Sequence, residues 1–191
     1  MKTKSREIRL VKDLKDILFD KDWAKSAKDF KVYQVSRGMK YRKDGLRYDQ
    51  TVIFPKLLGK EYPKTKGHEH PKEYVELIEV LQGQAIFLLQ NDQGNKVKDA
   101  YFIRAKKGQA IISPRGYSHT TINTSGKILK IGTWIEDVSE SDYHNIKRLK
   151  GFCYYCTLSG WKKNKNYKRV PKLKEKKPLK SFPKNLDFLN C

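Results

Sequence analysis

Two stretches decide how the chain is read: TKGHEHPKEYVELIEVLQG at Thr65–Gly83, and an answering GQAIISPRGYSHTTIN at Gly108–Asn123. The first carries His68 and His70, one residue apart, with Glu76 after them, and the second carries His119. In a β-strand, residues i and i+2 project to the same face, so His68 and His70 aim their imidazoles at one point. Glu76 and His119 complete a set of three nitrogens and one carboxylate that suits a divalent metal. An H-x-H pair alone arises by accident on exposed strands. The second stretch gives it weight, because three of the chain's four histidines lie in these two runs. Pro114 and Gly116 form a tight turn that delivers His119 on the next strand, facing the pair across a barrel interior.

Working outward, the apolar pattern has a period of two. Val32, Tyr33 and Val35 begin a strand, and Arg37–Leu46, polar and glycine-bearing, reads as a turn or loop. Strands are expected at Asp49–Pro55, Val75–Leu81 and Ala85–Gln90, with a hairpin turn at Asn91–Asn95. Further strands fall at Lys98–Ile103, Gln109–Ser113, Ser118–Asn123, Lys127–Trp134 and Phe152–Leu158. Short strands at this spacing, joined by glycine and asparagine turns, predict a mainly β chain: a single antiparallel barrel or jelly roll over residues 31–160. Short helices flank it. Residues 1–30 read as a helical extension, with Leu10, Leu14, Ile17 and Leu18 on one helix face and a second segment around Trp23. Ser139–Lys150 has the charge order of a helix. Residues 161–191 are a lysine-rich tail, either disordered or an arm packed through Leu173, Leu179, Phe182, Leu186 and Phe188.

The 191 residues carry 42 Lys+Arg against 21 Asp+Glu, a net charge of +21. Such a charge attracts polyanions and phosphorylated metabolites. Lysine dominates over arginine along the whole chain and no nucleic-acid motif is visible, so the charge is read as lysine-rich composition, and nucleic acid is not the expected partner. Cys153 and Cys156 form a C-x-x-C inside a strand-like run without a second such motif, and are read as buried thiols rather than a zinc site. The N-terminal run lacks the apolar core of a signal peptide and no apolar run spans a membrane, so a cytoplasmic protein is expected.

Gly108, Pro114, Gly116, His119 and Asn123 follow the second motif of the cupin superfamily, G-x5-P-x-G-x2-H-x3-N, at every position. From about Leu10 to Phe152 the chain resembles the cupin-type glucose-6-phosphate isomerases of archaea. The residues that carry this are Tyr33 in VYQV, Thr51 in QTVIFP, Gly59–Lys60, TKGHEH, Glu76 with Gly83, Pro114–Asn123, and Asp142–Tyr143 ahead of Gly151–Phe152. The resemblance implies a double-stranded β-helix barrel, a homodimer, and interconversion of glucose 6-phosphate and fructose 6-phosphate in glycolysis and gluconeogenesis. It makes His68, His70, Glu76 and His119 the metal ligands. Thr51, Thr65 and Gly67 become candidates for holding the phosphate, with Lys66 adding positive potential, and Tyr143 and Tyr33 candidates for substrate contact. The gap from His70 to Glu76 is one residue shorter than the family pattern, so Glu73 and Glu79 are rival ligands. Glu76 is preferred because its distance to Gly83 fits. The position two after the glutamate, often Tyr in the family, is Ile78, with Tyr74 as a substitute.

An aldose–ketose isomerase moves hydrogen between C1 and C2 of the open-chain sugar. One route passes through a cis-enediolate with Glu76 as base, and the other is a metal-assisted hydride shift. Three imidazoles and a carboxylate suit Fe(2+) or Mn(2+) when open positions remain for substrate oxygens, with Ni(2+) and Zn(2+) as alternatives. The rival readings are a cupin dioxygenase and a non-enzymatic cupin that binds sugars or polyanions.

Overall fold

The structure, a computed structural model, describes residues 4–70 and 74–190. Among the described residues, twelve strands form three sheets. β1 (Ser5–Leu10), β2 (Lys31–Tyr41), β3 (Leu46–Ile53), β4 (Glu76–Gln82), β7 (Ala110–Ser113) and β9 (Leu129–Glu136) make a six-stranded sheet in the order β1-β2-β3-β9-β4-β7. β5 (Gln84–Gln93), β6 (Lys96–Lys106), β8 (Ser118–Asn123) and β12 (Lys174–Lys176) make a four-stranded sheet in the order β12-β6-β5-β8. β10 (Tyr154–Thr157) and β11 (Gly160–Lys163) form a separate hairpin. This is the two-sheet jelly roll that the strand spacing predicts.

The chain changes sheets at Gly83, the single residue between β4 and β5. Its φ of +86° lies in the left-handed region that glycine alone enters freely, so the corner needs no longer loop. Phe87, Leu89, Ile53, Ile78, Val80 and Ile131 come from both large sheets and belong to one buried core. At the Pro114–Gly116 turn, the Tyr117 N–H donates to the Pro114 carbonyl at 3.3 Å, closing it as expected. Asn123, at the far end of β8, donates to Ile53 and Lys127 carbonyls and so ties the next turn to the barrel.

The structure differs from the expectation in four places. Ser5–Leu10 is an edge strand, and the apolar run behind it winds as short 3-10 turns at Val11–Asp13 and Lys15–Ile17 that bury Val11, Leu14 and Ile17. The second helical segment is present as α1 (Lys21–Ser26). The polar stretch after Arg37 continues β2 to Tyr41, with a bulge between Ser36 and Lys40. Of Ser139–Lys150, only α2 (His144–Arg148) is helical, because Asp142 is held extended by backbone bonds to Glu69. The tail is an arm: β12 pairs parallel with β6, and Leu186 and Leu189 join Leu46, Leu77 and Ala110 in a second buried cluster. Phe188, expected to anchor it, is exposed.

Candidate metal centre and substrate cleft

Residues 63–69 run along the free edge of β8. The Asn123 N–H donates to the Pro63 carbonyl at 2.8 Å, the Thr65 N–H to Thr121 at 2.9 Å, and His68 and His119 exchange both backbone bonds at 3.2 and 3.0 Å. Glu69 and Asp142 exchange two more on the other side, at 3.0 and 2.7 Å. This zipper sets the His68 and His119 rings 4.7 Å apart. Gly67 makes the fit possible. At its φ of +70°, a Cβ would lie 2.3 Å from the Phe152 ring and 2.8 Å from the His119 carbonyl oxygen.

His68 and His70 flank Glu69 with their Nε2 atoms 3.2 Å apart, as the i, i+2 spacing predicts. Glu76 opens β4 in the other sheet, opposite Ser113. Its Oε1 lies 2.8 Å from His70 Nε2 and 3.4 Å from His68 Nε2, and its Oε2 lies 3.0 Å from His119 Nε2. The carboxylate and the histidines therefore reach the centre from different sheets. The histidines come from the four-stranded side of the barrel and the carboxylate comes from the six-stranded side. Glu79, three residues on, lies on the opposite face of β4 and accepts the Tyr48 hydroxyl at 2.8 Å, which removes it as a ligand. Glu73 lies outside the described residues. Among the described residues, the trio gathered closely enough for a metal is His68, Glu76 and His119, with His70 joined to it through Glu76 and His68.

The donor chemistry fits a divalent cation. His70 Nδ1 bonds the Glu140 carbonyl, an acceptor only, so Nδ1 carries a proton and Nε2 is the nitrogen turned to the centre; burial works to lower this imidazole, but the Glu76 carboxylate and the Glu140 carbonyl outweigh it and raise it above the ordinary histidine range. His119 Nδ1 is likewise engaged outside the centre, 3.1 Å from the Ser113 hydroxyl. Burial lowers the His68 imidazole to about 4, with the neighbouring His119 and His70 adding to the effect, so it is neutral at neutral pH. Burial works to raise the Glu76 carboxyl, but His119, His68 and His70 outweigh it and hold the group well below the usual carboxylate range. A buried anion thus faces three imidazole nitrogens.

The centre opens on a cleft also lined by Tyr33, Thr51, Thr65, Gly67 and Tyr143. The structure brings these five sequence candidates together. The Tyr33 hydroxyl accepts the Lys66 N–H at 3.3 Å, and burial pushes this phenol up to about 12. The Thr65 hydroxyl oxygen accepts the Thr121 N–H at 3.0 Å and lies 3.2 Å from the Thr120 hydroxyl, which donates to the Thr65 carbonyl at 2.9 Å. Lys66 does not line the cleft floor, and its ammonium sits 5.0 Å over the Tyr143 ring. Ile78 lines the cleft, while Tyr74 packs edge-on against His70 and lies outside the cleft lining. Cys153 and Cys156 are buried, free thiols away from the centre.

Sequence reading missed a charged wall. Glu7, Arg9, Arg37, Arg47 and Asp49 also line the cleft. Asp49 accepts two bonds from Arg47 Nε at 3.0 and 3.1 Å, one from Arg37 at 3.3 Å and one from the Gly38 N–H at 2.8 Å. The available signal was alternation: Glu7 and Arg9, like Arg47, Asp49 and Thr51, are spaced by two on strands.

A jelly-roll barrel holding three histidines and a glutamate in such a cleft is a cupin. The glucose-6-phosphate isomerase (GPI) family matches residues 8–172, and the chain belongs to that family. The glucose-6-phosphate isomerase of Thermococcus litoralis is 33% identical over 127 residues, covering 64% of this chain and 65% of the relative. That of Thermococcus onnurineus is 31% identical over 150 residues, 76% of each chain. Among solved structures, the oxalate decarboxylase formate complex of Lactobacillus farciminis is similar at a TM-score of 0.46 and 17% identity, covering 60% of this chain and 32% of that one.

Proposed function

We propose that this cleft interconverts glucose 6-phosphate and fructose 6-phosphate, with His68, His70, Glu76 and His119 as the ligands of a divalent metal. The observation that carries the reading is the convergence of three imidazole Nε2 atoms on both oxygens of one buried carboxylate, in a cleft with hydroxyl donors, in a chain of this family. The metal, Fe(2+) or Mn(2+) in this reading, supplies Lewis-acid polarisation of the sugar carbonyl and its neighbouring oxygen.

The protein's own groups do the rest. Thr51 and Thr65 hydroxyls and the Gly67 amide donate to phosphate oxygens, fixing the far end of the open-chain sugar. Tyr33 and Tyr143, both lining the cleft, contact the substrate at that end. Glu76 is ionised, so it can take the C2 proton and return it to C1 while its second oxygen stays bonded to His119. Burial of the centre excludes competing water. A homodimer and a cytoplasmic location accompany this reading on the strength of the resemblance; no helix among the described residues is long and apolar enough to cross a membrane. Neither dioxygen chemistry nor passive sugar binding is favoured, since both leave the family match unexplained.

The test is a variant series on metal-loaded protein, with metal content measured for each sample. His68→Ala is expected to lose both metal and isomerisation of fructose 6-phosphate. Glu76→Gln is expected to lose at least about 100-fold in turnover. Full turnover in both would overturn the assignment. With C2-deuterated glucose 6-phosphate, loss of label to solvent would exclude a pure hydride shift and support Glu76 as the proton carrier.

A further inference from the structure

Three elements enclose a second opening that is separate from the cleft. The 3-10 turn Lys15–Ile17, α1 and the end of α2 meet at a groove of about 400 Å³. Lys15, Lys21, Lys25, Lys147 and Lys150 line it, with Ala24 and one carboxylate, Asp16, and none of these residues lines the cleft. Lys21, Ala24 and Lys25 fall at i, i+3 and i+4 of α1, so a single helix face supplies all three. Lys147 and Lys150 come from α2 and the turn that ends it, where the Lys150 N–H donates to the Lys147 carbonyl at 3.0 Å.

Two observations set this groove apart from the solvated lysines elsewhere on the chain. The first is that its charge is not neutralised locally. Lys25 pairs with Asp22 at 3.2 Å and Lys21 Nζ donates to the Asp16 carbonyl at 2.8 Å, but Lys15, Lys147 and Lys150 form no ion pair among the described residues. Burial, then the charges of Lys150 and Lys64, hold the Lys21 ammonium below the ordinary lysine range, against Glu61 and Asp16. The second is backbone. Lys150 has a φ of +58° and, among the described residues, is the single non-glycine in the left-handed region. It stands just past the last turn of α2, a position that glycine ordinarily takes. The chain therefore keeps a lysine where the backbone disfavours one, and such outliers gather at functional sites. The turn that carries it is well fixed. The Gly151 N–H donates to the Ile146 carbonyl at 2.8 Å, the Tyr155 hydroxyl donates to the Lys150 carbonyl at 2.6 Å, and a Cβ on Gly151 would lie 3.0 Å from the Ile17 carbonyl oxygen. The end of α2 is thus seated on the Lys15–Ile17 turn, and the lysines of the two keep their spacing.

We propose that this groove is a second binding site, which takes a chain of linked phosphoryl groups, whether an inorganic polyphosphate or the tail of a nucleoside triphosphate, on Lys15, Lys21, Lys147 and Lys150. Lysine ammonium groups are point charges with three donors each, which suits phosphate oxygens approaching from several directions. A single phosphate would leave most of the gathered charges repelling one another. Consecutive phosphoryl groups set an anionic group beside each. No aromatic ring and no arginine lines the groove, so it has no surface on which a base could stack, which argues against single-stranded nucleic acid. The site lies apart from the isomerase chemistry and does not depend on it.

The experiment titrates sodium tripolyphosphate calorimetrically into the full-length chain. No divalent cation is added, because the probe sequesters such ions, and excess fructose 6-phosphate competes the probe from the cleft. ATP, inorganic phosphate and a short DNA duplex are the comparison ligands. The variants are Lys21→Gln and Lys150→Gly, with Lys163→Gln, at an exposed lysine on β11, as the control for charge loss. Lys150→Gly relieves the backbone as it removes the charge, so its melting midpoint without ligand should equal or exceed that of wild type, and a loss of binding cannot then be laid to unfolding. Lys21→Gln and Lys150→Gly should each weaken tripolyphosphate by about 5-fold, while Lys163→Gln should match wild type. Inorganic phosphate should bind at least about 10-fold more weakly than tripolyphosphate. ATP that binds as tightly as tripolyphosphate supports the site with a nucleotide tail as its ligand, and ATP that binds far more weakly supports it with the inorganic chain. A wild type that binds no tripolyphosphate would overturn the proposal. So would binding that Lys21→Gln and Lys150→Gly weaken no more than Lys163→Gln does, or a duplex that displaces tripolyphosphate with the same lysine dependence.

Discussion

Replacing Gly67 by alanine perturbs the metal centre without touching a ligand. The backbone at Gly67 has φ +70°, and the new Cβ would meet Phe152 Cε2 at 2.3 Å, Cζ at 2.7 Å and the His119 carbonyl oxygen at 2.8 Å. Alanine in the left-handed region costs about 1 kcal/mol. The steric overlap adds roughly 1–3 kcal/mol, because Phe152 is buried and the His119 carbonyl is held by the His68 N–H. The total, about 2–4 kcal/mol, corresponds to a fall of roughly 5–15 °C in the melting midpoint for a chain of this length. Gly94→Ala isolates the backbone part: its φ is +62°, yet no atom lies within 4 Å of the added Cβ. That variant should lose only about 1 kcal/mol, or roughly 2–4 °C. Because the overlap pushes on the His68–His119 pairing, kcat/KM of Gly67→Ala should fall by about 100-fold, while Gly94→Ala stays near wild type. Calorimetry and isomerase kinetics on the pair decide it. If Gly67→Ala melts with Gly94→Ala and keeps its kcat/KM, the close approach does not set the ligand geometry.

Two further perturbations probe the frame around the cleft. Glu61 is fully buried, bonded to Lys64 and to the Phe19 N–H at 2.6 Å, so Lys64→Ala should cost about 3–5 kcal/mol by stranding a buried carboxylate; a loss under 1 kcal/mol in urea unfolding would contradict the pairing. Asp92, which accepts from Gln90 and Asn145, is pushed up to about 6 by burial, against the opposing Gln90 bond, with Glu69 adding to the rise. The folded chain therefore binds more protons than the unfolded chain between about pH 4 and 6, and this group's stability contribution is complete below about pH 4 and lost as pH rises through about 6. Wild-type stability relative to Asp92→Asn should accordingly fall by of the order of 2 kcal/mol from pH 4 to pH 7, and a flat difference across that range would refute the shift.

The barrel was legible because its strands alternate and its turns are marked by glycine, proline and asparagine. The H-x-H pair and His119 were legible for the same reason: their spacing is a statement about strand faces. The distance from Glu76 to Gly83, which singles out this carboxylate in the sequence, is structural, since Gly83 is the corner at which β4 leaves one sheet for the other. What spacing could not convey is that the carboxylate reaches the histidines from the opposite sheet. The N-terminal strand does not announce itself because Glu7 and Arg9 are half-buried while Ile8 between them is exposed, the inverse of the usual pattern. That inversion exists because the inner face of β1 borders a polar cleft rather than a hydrophobic core. The same cause hid the continuation of β2 past Arg37, where a bulge and a charged wall replace apolar alternation. The tail looked like a solvated lysine run because only a few apolar side chains, Leu186 and Leu189 chief among them, fasten it to the barrel.

The most direct measurement is the rate of glucose 6-phosphate formation from fructose 6-phosphate by purified protein as loaded, after chelation, and after a divalent metal is restored. The account predicts turnover that chelation abolishes and Fe(2+) or Mn(2+) restores. Isomerisation that persists in fully chelated protein, or no turnover with any added divalent metal, would contradict it.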